Sequence, residues 1–517
     1  MSEHETDNKS SPLPPSVTDD APPQDAQATV EKNDRRNSSW DVQNAPKNYF
    51  WLVVFQLGMA VFSVLSVWLA TRYLGAQGYG GLSSVLAFSQ VAQIAIMWTC
   101  SAVVRYGVEE FVETGVIART FWARTAIFVP NLIALVALTP IWFPLAAELF
   151  ALPAESALSL AFLIVSTATA MHVQFSLQAA KLPSFQGGLQ MLEKLVTFSA
   201  LCILAFGPGL TVTSSILAFA VPPAISTVIG LIKLWPMIAS PLRIEKQRVV
   251  TILRFSLPLP LYSILSVISL NHLDAIFVVK YLSLADFGVY SVAYQVNGLI
   301  LQLPVLAGSL LLPLFVTSIF SDSEETKRAR YFREVLPLIT LGIGLLCVSA
   351  AAVGTIALPR ILGKEFESVG LMLWVFASAT VLSSPVAAGL LPLTSSISKT
   401  TTQMIAAFVS ALVKLGLNFA FIPIFGLSGS AWATVAAYAA ALVTYWLITK
   451  RHFAFEFDMV LLSILPPVAA ALTFELSSSV LTSMLVYFGG IILLFAVRRE
   501  LFANGLKVLK TVSTRAR

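Results

Sequence analysis

Charge is what this sequence has least of. Lys, Arg, Asp and Glu make up 12% of the 517 residues, about half of the roughly 25% with which a water-soluble chain covers its surface. Cysteine is nearly absent. Cys100, Cys202 and Cys347 form no C-x-x-C pair and lie within or at the ends of apolar runs, which excludes a disulfide framework and makes them small buried residues. The four histidines are scattered, so no His/Cys cluster suggests a metal. No Gly-rich loop precedes a Lys-Ser or Lys-Thr pair, which excludes direct drive by ATP. No connecting segment is long enough to be a catalytic domain. The longest, near 319–334, carries Ser321-Asp322-Ser323-Glu324-Glu325-Thr326-Lys327-Arg328 and has the character of a solvated link. The loop from Gly75 to Gly80 lacks a carboxylate, against a membrane glycosyltransferase holding a metal there. The expectation is a protein that is not an enzyme, with no catalytic residue, no metal and no resident cofactor.

What is present is apolar: 56% of residues, with a mean hydropathy of +0.79. Runs of about 20 apolar residues recur, each able to cross a hydrocarbon layer of about 30 Å as a helix. Fourteen are expected, at about 49–71, 82–104, 121–146, 156–179, 188–206, 211–235, 257–281, 289–318, 335–357, 367–393, 401–423, 427–449, 458–475 and 478–497. Residues 1–47 are rich in Pro, Ser, Asp, Asn and Gln, and composition predicts a disordered tail there. It is not a secretory signal, since the first apolar run begins only near Tyr49 and no small-residue cleavage site follows a short core.

The cations test this topology. With both termini placed in the cytoplasm, every inner segment carries Lys or Arg, while the outer segments hold only Arg72, Lys280, Arg360 and Lys364. That asymmetry is the positive-inside pattern, and in this setting the net charge of +5 reports orientation rather than nucleic-acid binding. Removing or adding one run would scramble the alternation.

One stretch occurs twice. Arg72-Tyr73-Leu74 … Tyr79-Gly80 … Ser83 is matched by Lys280-Tyr281-Leu282 … Phe287-Gly288 … Ser291, at an ungapped offset of 208 residues. Each copy ends one apolar run and opens the next. Six runs separate the copies, so both face the same way, as a parallel repeat about an axis along the membrane normal. Weaker echoes agree: Gly207-Pro208-Gly209-Leu210 and Pro423-Ile424-Phe425-Gly426 join the last two runs of each half, and Lys181 and Lys399 follow runs 4 and 10. The organisation expected is a tail (1–47), a six-helix lobe (48–240), a basic linker (241–253), a second lobe (254–451), two appended helices (452–500) and a basic tail (501–517). Two parallel lobes around a central cavity make an all-α integral membrane protein of transporter layout.

Ions at membrane depth are costly and carry the site expectations. Asp274, in Asn271-His272-Leu273-Asp274, is either paired with a cation on a neighbouring helix or part of a coupling or gating site, which His272 and Asn271 could join. A lone His is more often a satisfied packing residue. Lys414 lies deep in run 11 with no carboxylate within one turn and is expected in a cavity. Lys194, two turns into run 5, either snorkels or lines it. Arg72, Arg105 and Lys280 sit at helix ends, as interfacial anchors or as members of a cationic cleft suited to an anionic head group such as a pyrophosphate.

Several motifs carry a resemblance. Arg72-Tyr73-Leu74-Gly75 with Tyr79-Gly80 resembles the first-loop signature of Wzx-type polysaccharide flippases. Leu253-Arg254-Phe255-Ser256-Leu257-Pro258, Asp274 and Phe287-Gly288-Val289-Tyr290-Ser291 resemble the start of that family's second lobe. Ile361-Leu362-Gly363-Lys364-Glu365-Phe366 is similar to its Leu-Phe-Gly-x-x-Tyr element. Leu417-Asn418-Phe419, Ile422-Pro423 and Phe425-Gly426-Leu427-Ser428-Gly429-Ser430-Ala431 are similar to its Asn…Ile-Pro…Gly…Gly-Ala segment. Ser430 departs from the usual Ala, and Ser283 from the Gly of the first copy. The resemblance spans about residues 49–450 and implies the multidrug/oligosaccharidyl-lipid/polysaccharide exporter fold. It further implies a flippase of the bacterial cytoplasmic (inner) membrane that turns a polyprenyl-pyrophosphate-linked oligosaccharide outward for O-antigen or exopolysaccharide assembly. A cation gradient, H+ or Na+, and other polysaccharide-assembly proteins as partners come with it. Two readings stand beside this one: a cation-coupled multidrug antiporter of the same fold, and a membrane polysaccharide polymerase, which would need a long outer loop.

Overall fold

The computed structural model describes residues 24–497 apart from 241–242, 258–259, 261–263, 266–273, 319–328, 397–399 and 454–455. His272, Asn271, Lys399, most of the 319–334 link and the 498–517 tail therefore lie outside the described residues. The chain divides into Met1–Val54 and Phe55–Arg517. In the first unit the helix α1 (Gln24–Met97) is assigned from Gln24 on, where composition predicts disorder. Gln24-Asp25-Ala26-Gln27-Ala28 and Glu31-Lys32 are mostly good helix formers, which local propensity explains and hydrophobicity does not.

The second unit is all-α among its described residues. After α1 come α2 (Cys100–Thr114), α3 (Ala118–Ala137), α4 (Thr139–Phe150), α5 (Ala157–Ala179), α6 (Pro183–Phe206), α7 (Val212–Ile238) and α8 (Lys246–Ser256). The later half has α9 (Asp274–Tyr281), α10 (Leu284–Ser318), α11 (Leu336–Leu362), α12 (Val369–Pro385), α13 (Leu391–Ser396), α14 (Thr400–Thr449), α15 (Asp458–Ser477) and α16 (Val480–Val497). Ten described spans are long and apolar enough to cross a membrane. Twelve of the fourteen expected runs fall on these ten spans. α1 and α14 each hold two runs joined at a kink, at Gly75 (φ 66°) and Gly426 (φ 60°). Runs 7 and 8 correspond to α9 and α10, partly beyond the described residues. Run 3 differs from expectation, because Leu138 breaks it into α3 and α4, with Pro140 in the first turn of α4 where its missing N–H costs nothing.

Where the first repeat kinks at Gly75, the second has Ser283. Its hydroxyl accepts from Asp286 N (3.1 Å) and donates to Asp286 Oδ2 (2.6 Å). The second copy thus stops one helix and caps the next, which needs no left-handed residue.

The two copies meet. A Cβ on Gly80 would sit 1.7 Å from Leu284 O, and one on Gly288 would sit 2.3 Å from Ala76 O. Gly80 and Gly288 are 208 positions apart, and so are Ala76 and Leu284, so the contact is reciprocal, as a pseudo-two-fold axis requires. Beside it, Glu365 Oε2 accepts from Ala76 N at 2.8 Å. The Gly-Lys-Glu-Phe element before α12 thereby ties the second lobe to the kink at Gly75.

At the other end, the α8 linker packs on the first lobe. Arg248 approaches Glu110 (3.8 Å) and covers the Tyr106 ring at 5.4 Å, and Arg119 pairs with Glu245 at 3.4 Å. The second lobe is built around α12, whose Trp374 is fully buried and stacks on Phe474 of α15 at 5.3 Å. Glu475 on α15 accepts from Ser428 and Trp432 of α14, fastening the appended pair to the lobe. The described cysteines are free, with Cys100 and Cys347 buried and Cys202 half-buried.

Candidate functional site: a cavity between the repeats

A cavity of about 370 Å³ lies between the halves. The post-kink half of α1 contributes Ser83, Leu86, Ala87 and Gln93, and α10 contributes Tyr290, Ser291, Tyr294 and Gln295. Ser83 and Ser291, Leu86 and Tyr294, and Ala87 and Gln295 are each 208 positions apart. The repeat that closes one end of the bundle also walls the cavity. α6 adds Glu193, Lys194 and Thr197, while α7 adds Phe219. Gln295 Nε2 donates to the Tyr79 hydroxyl at 2.7 Å, a bond between the lobes. Gln190 Nε2 donates to Gln174 Oε1 (3.0 Å), and Gln174 Nε2 to Glu193 Oε1 (2.7 Å), which fixes the carboxylate at the wall.

Of the expected cations, Lys194 lines this cavity. Lys414 does not. It is 1% exposed, and its Nζ lies 2.9 Å from Asp274 Oδ2, itself 1% exposed. The Tyr290 hydroxyl donates to the same Asp274 oxygen, and Asn418 Nδ2 donates to Oδ1 at 2.8 Å. The geometry pairs Asp274 with Lys414 on a neighbouring helix, and Lys414 is not among the residues lining this cavity or the one adjoining it. Two buried opposite charges lower their joint desolvation cost by meeting. Contact with the cavity survives through Tyr290, which lines the wall and touches the carboxylate. Arg72 and Lys280 are exposed near the closed end. Arg105 is exposed, near Glu109 (3.9 Å) and over the Phe255 ring (5.1 Å). None of these three is among the residues lining this cavity, and their exposure suits interfacial anchors. Helix-end cations reach solvent more cheaply than a buried wall.

Sequence reasoning passed over Glu193, although a carboxylate beside Lys194 inside an apolar run was the same signal that singled out Asp274. It also passed over Arg124 and His172. Arg124 is fully buried on α3 and contacts His172 Nδ1, Cys100 Sγ (2.9 Å) and Thr99 Oγ1 (3.3 Å), with the Phe128 ring 5.2 Å away. His172 stacks between Phe121 and Phe128, at 4.8 and 5.0 Å. Because a guanidinium only donates, Nδ1 is the acceptor and Nε2 carries the proton, facing Thr125 Oγ1 at 3.0 Å.

A second cavity, of about 410 Å³, adjoins the first. Its wall is mainly apolar: Val64, Val67 and Trp68 of α1, Val292 and Val296 of α10, and Leu358 of α11. Tyr294 and Gln295 line both cavities.

No family model matches the chain, and no curated relative does. Solved structures do. A lipid II flippase MurJ in an inward closed conformation superposes with a TM-score of 0.67 at 15% identity, covering 87% of this chain and 99% of that one. An inward-facing multidrug resistance MATE family transporter of the MOP superfamily gives 0.56 at 12% identity, covering 78% and 97%. The eukaryotic MATE transporter AtDTX14 gives 0.55 at 15% identity, covering 82% and 98%. At such identities the likeness concerns the fold, and the chain has the all-α membrane fold that these transporters share.

Proposed function

We propose that the protein is a flippase for a polyprenyl-pyrophosphate-linked oligosaccharide, acting in the bacterial cytoplasmic membrane by alternating access in O-antigen or exopolysaccharide assembly. The observation that carries this reading is the pair of adjoining cavities sharing Tyr294 and Gln295. One combines amides, hydroxyls, Glu193 and Lys194 with leucine and phenylalanine, and the other is lined mainly by valine, leucine and tryptophan. A substrate with a polar head and a long apolar tail matches both at once, whereas a compact soluble solute matches only the first. The motif resemblance and the lipid II flippase among the structural neighbours favour the same substrate class. Reciprocal packing of Gly80 and Gly288 supplies a closed end, and rocking the lobes about it would expose the cavity to each side in turn. A cation gradient as the driving force belongs to this proposal.

A multidrug-type antiporter is the second reading. Glu193 with Phe219, Phe287 and Tyr294 would suit an organic cation, but Lys194 beside Glu193 offsets that charge. Deletion of the gene, followed by analysis of lipid-linked sugars on the inner leaflet, separates the two. Accumulation of one lipid-linked oligosaccharide supports the flippase. Normal glycan export with raised sensitivity to cationic drugs overturns it.

A further inference from the structure

The central cavity has an unusual charge balance for a chamber that would hold an anionic head group. Among the described residues its charged lining groups are Glu193 and Lys194, adjacent on α6, which offset one another. The other polar wall groups are amides and hydroxyls, foremost Gln90, Gln93 and Gln295. Gln93 is 4% exposed, and its Nε2 has no hydrogen-bond partner among the described residues. A buried donor left unpaired is costly unless a ligand satisfies it. Glu193 is oriented through the Gln190–Gln174 relay, which uses one position on Oε1 and leaves acceptor capacity on the carboxylate. Phe219 and Phe287 supply flat apolar faces in the same wall.

An unpaired donor, a fixed acceptor and aromatic faces suit a polyhydroxylated ring. Sugar hydroxyls donate to Glu193 and accept from Gln93, and the ring's C–H face lies on an aromatic. A carboxylate on that sugar would instead meet Glu193 with like charge and, having no hydroxyl hydrogen there, could not donate to it. It would find one cation, Lys194, whose charge Glu193 already offsets. We propose that this cavity is a subsite for an uncharged glycosyl unit and that it discriminates against acidic sugars. The proposal rests on the flippase reading and adds a substrate class to it.

The test uses the full chain reconstituted in liposomes and two fluorescent polyprenyl-diphosphate disaccharides. They are identical except that the terminal hexose CH2OH is a carboxylate in one. The neutral probe is expected to cross about tenfold faster or more, as for sites that discriminate by hydrogen bonding. Equal rates, or a faster acidic probe, overturn the inference. Movement of neither probe above empty liposomes overturns the flippase reading itself. Glu193→Gln removes the like charge, and the ratio is expected to fall to about threefold or less. Full discrimination in that variant refutes the charge argument. Equilibrium binding of both probes to the wild-type chain in detergent needs no variant. Affinity about tenfold tighter for the neutral probe supports the subsite, and equal affinity overturns it.

Discussion

Lys414 on α14 and Asp274 at the start of α9 form an ion pair, with Nζ 2.9 Å from Oδ2 and both side chains 1% exposed. Removing one partner strands the other charge. Lys414→Ala or Asp274→Ala is expected to destabilise the protein by about 3–5 kcal/mol, whereas replacing both by apolar residues is often near neutral. Thermal unfolding in detergent should therefore show large losses for each single variant and recovery for Lys414→Met with Asp274→Leu. If the recovered double variant also fails in glycan export, the pair has a role beyond holding helices together. If export returns with stability, its role is structural.

The contact between Gly80 and Gly288 leaves no room for a methyl group. Gly80→Ala and Gly288→Ala would each push a Cβ into a backbone carbonyl, at 1.7 and 2.3 Å. Both are expected to hold the lobes apart at this end. In a background without native cysteines, Ser291→Cys in the cavity wall should then react at least about threefold faster with a membrane-impermeant thiol reagent added outside. Gly416→Ala, with open space around its Cα, is the control; it should leave labelling unchanged and, as a helix-interior change, cost no stability.

Glu365 tests the same closure through a hydrogen bond. Its Oε2 accepts from Ala76 N at 2.8 Å. Glu365→Ala leaves that N–H unpaired, a loss of about 1–3 kcal/mol if the site stays dry. Labelling from outside should rise as with the glycine variants. Glu365→Gln keeps an acceptor oxygen and should fall between wild type and Glu365→Ala.

Arg124 has a plane to satisfy. The guanidinium reaches His172, Cys100 and Thr99 from one position on α3. A lysine ammonium cannot present that fork. Arg124→Lys is expected to lower stability by about 2–3 kcal/mol despite keeping the charge. An unchanged melting temperature would show that charge alone is enough at that site.

The fold was legible because membrane-spanning helices announce themselves by length and apolarity. The repeat was legible for a second reason. Close backbone approach at Gly80 and Gly288 admits no side chain, so the same residue type stands at both places. The α3–α4 break at Leu138 was not legible, since an apolar run hides a corner that only Pro140 betrays. The pairing of Lys414 with Asp274 could not be read from spacing, because the partners lie on helices far apart in sequence. Absence of a carboxylate within one turn of Lys414 was true of α14 and silent about α9. Glu193 was legible only as half of an adjacent pair of opposite charges, and spacing alone does not show that both side chains reach one cavity wall.

The seam where the repeats touch is made of main chain, with carbonyl oxygens lying over bare α-carbons. Peptide groups of this kind neither gain nor lose protons across the biological range, and they present no net charge for dissolved salts to shield. The main-chain contacts of that latch therefore carry no charge of their own, and the charged side chain bonded to it is Glu365, through Ala76 N. Acidity or salt can reach this seam only through that carboxylate, and the glycine contacts beside it answer to the occupant of the chamber alone.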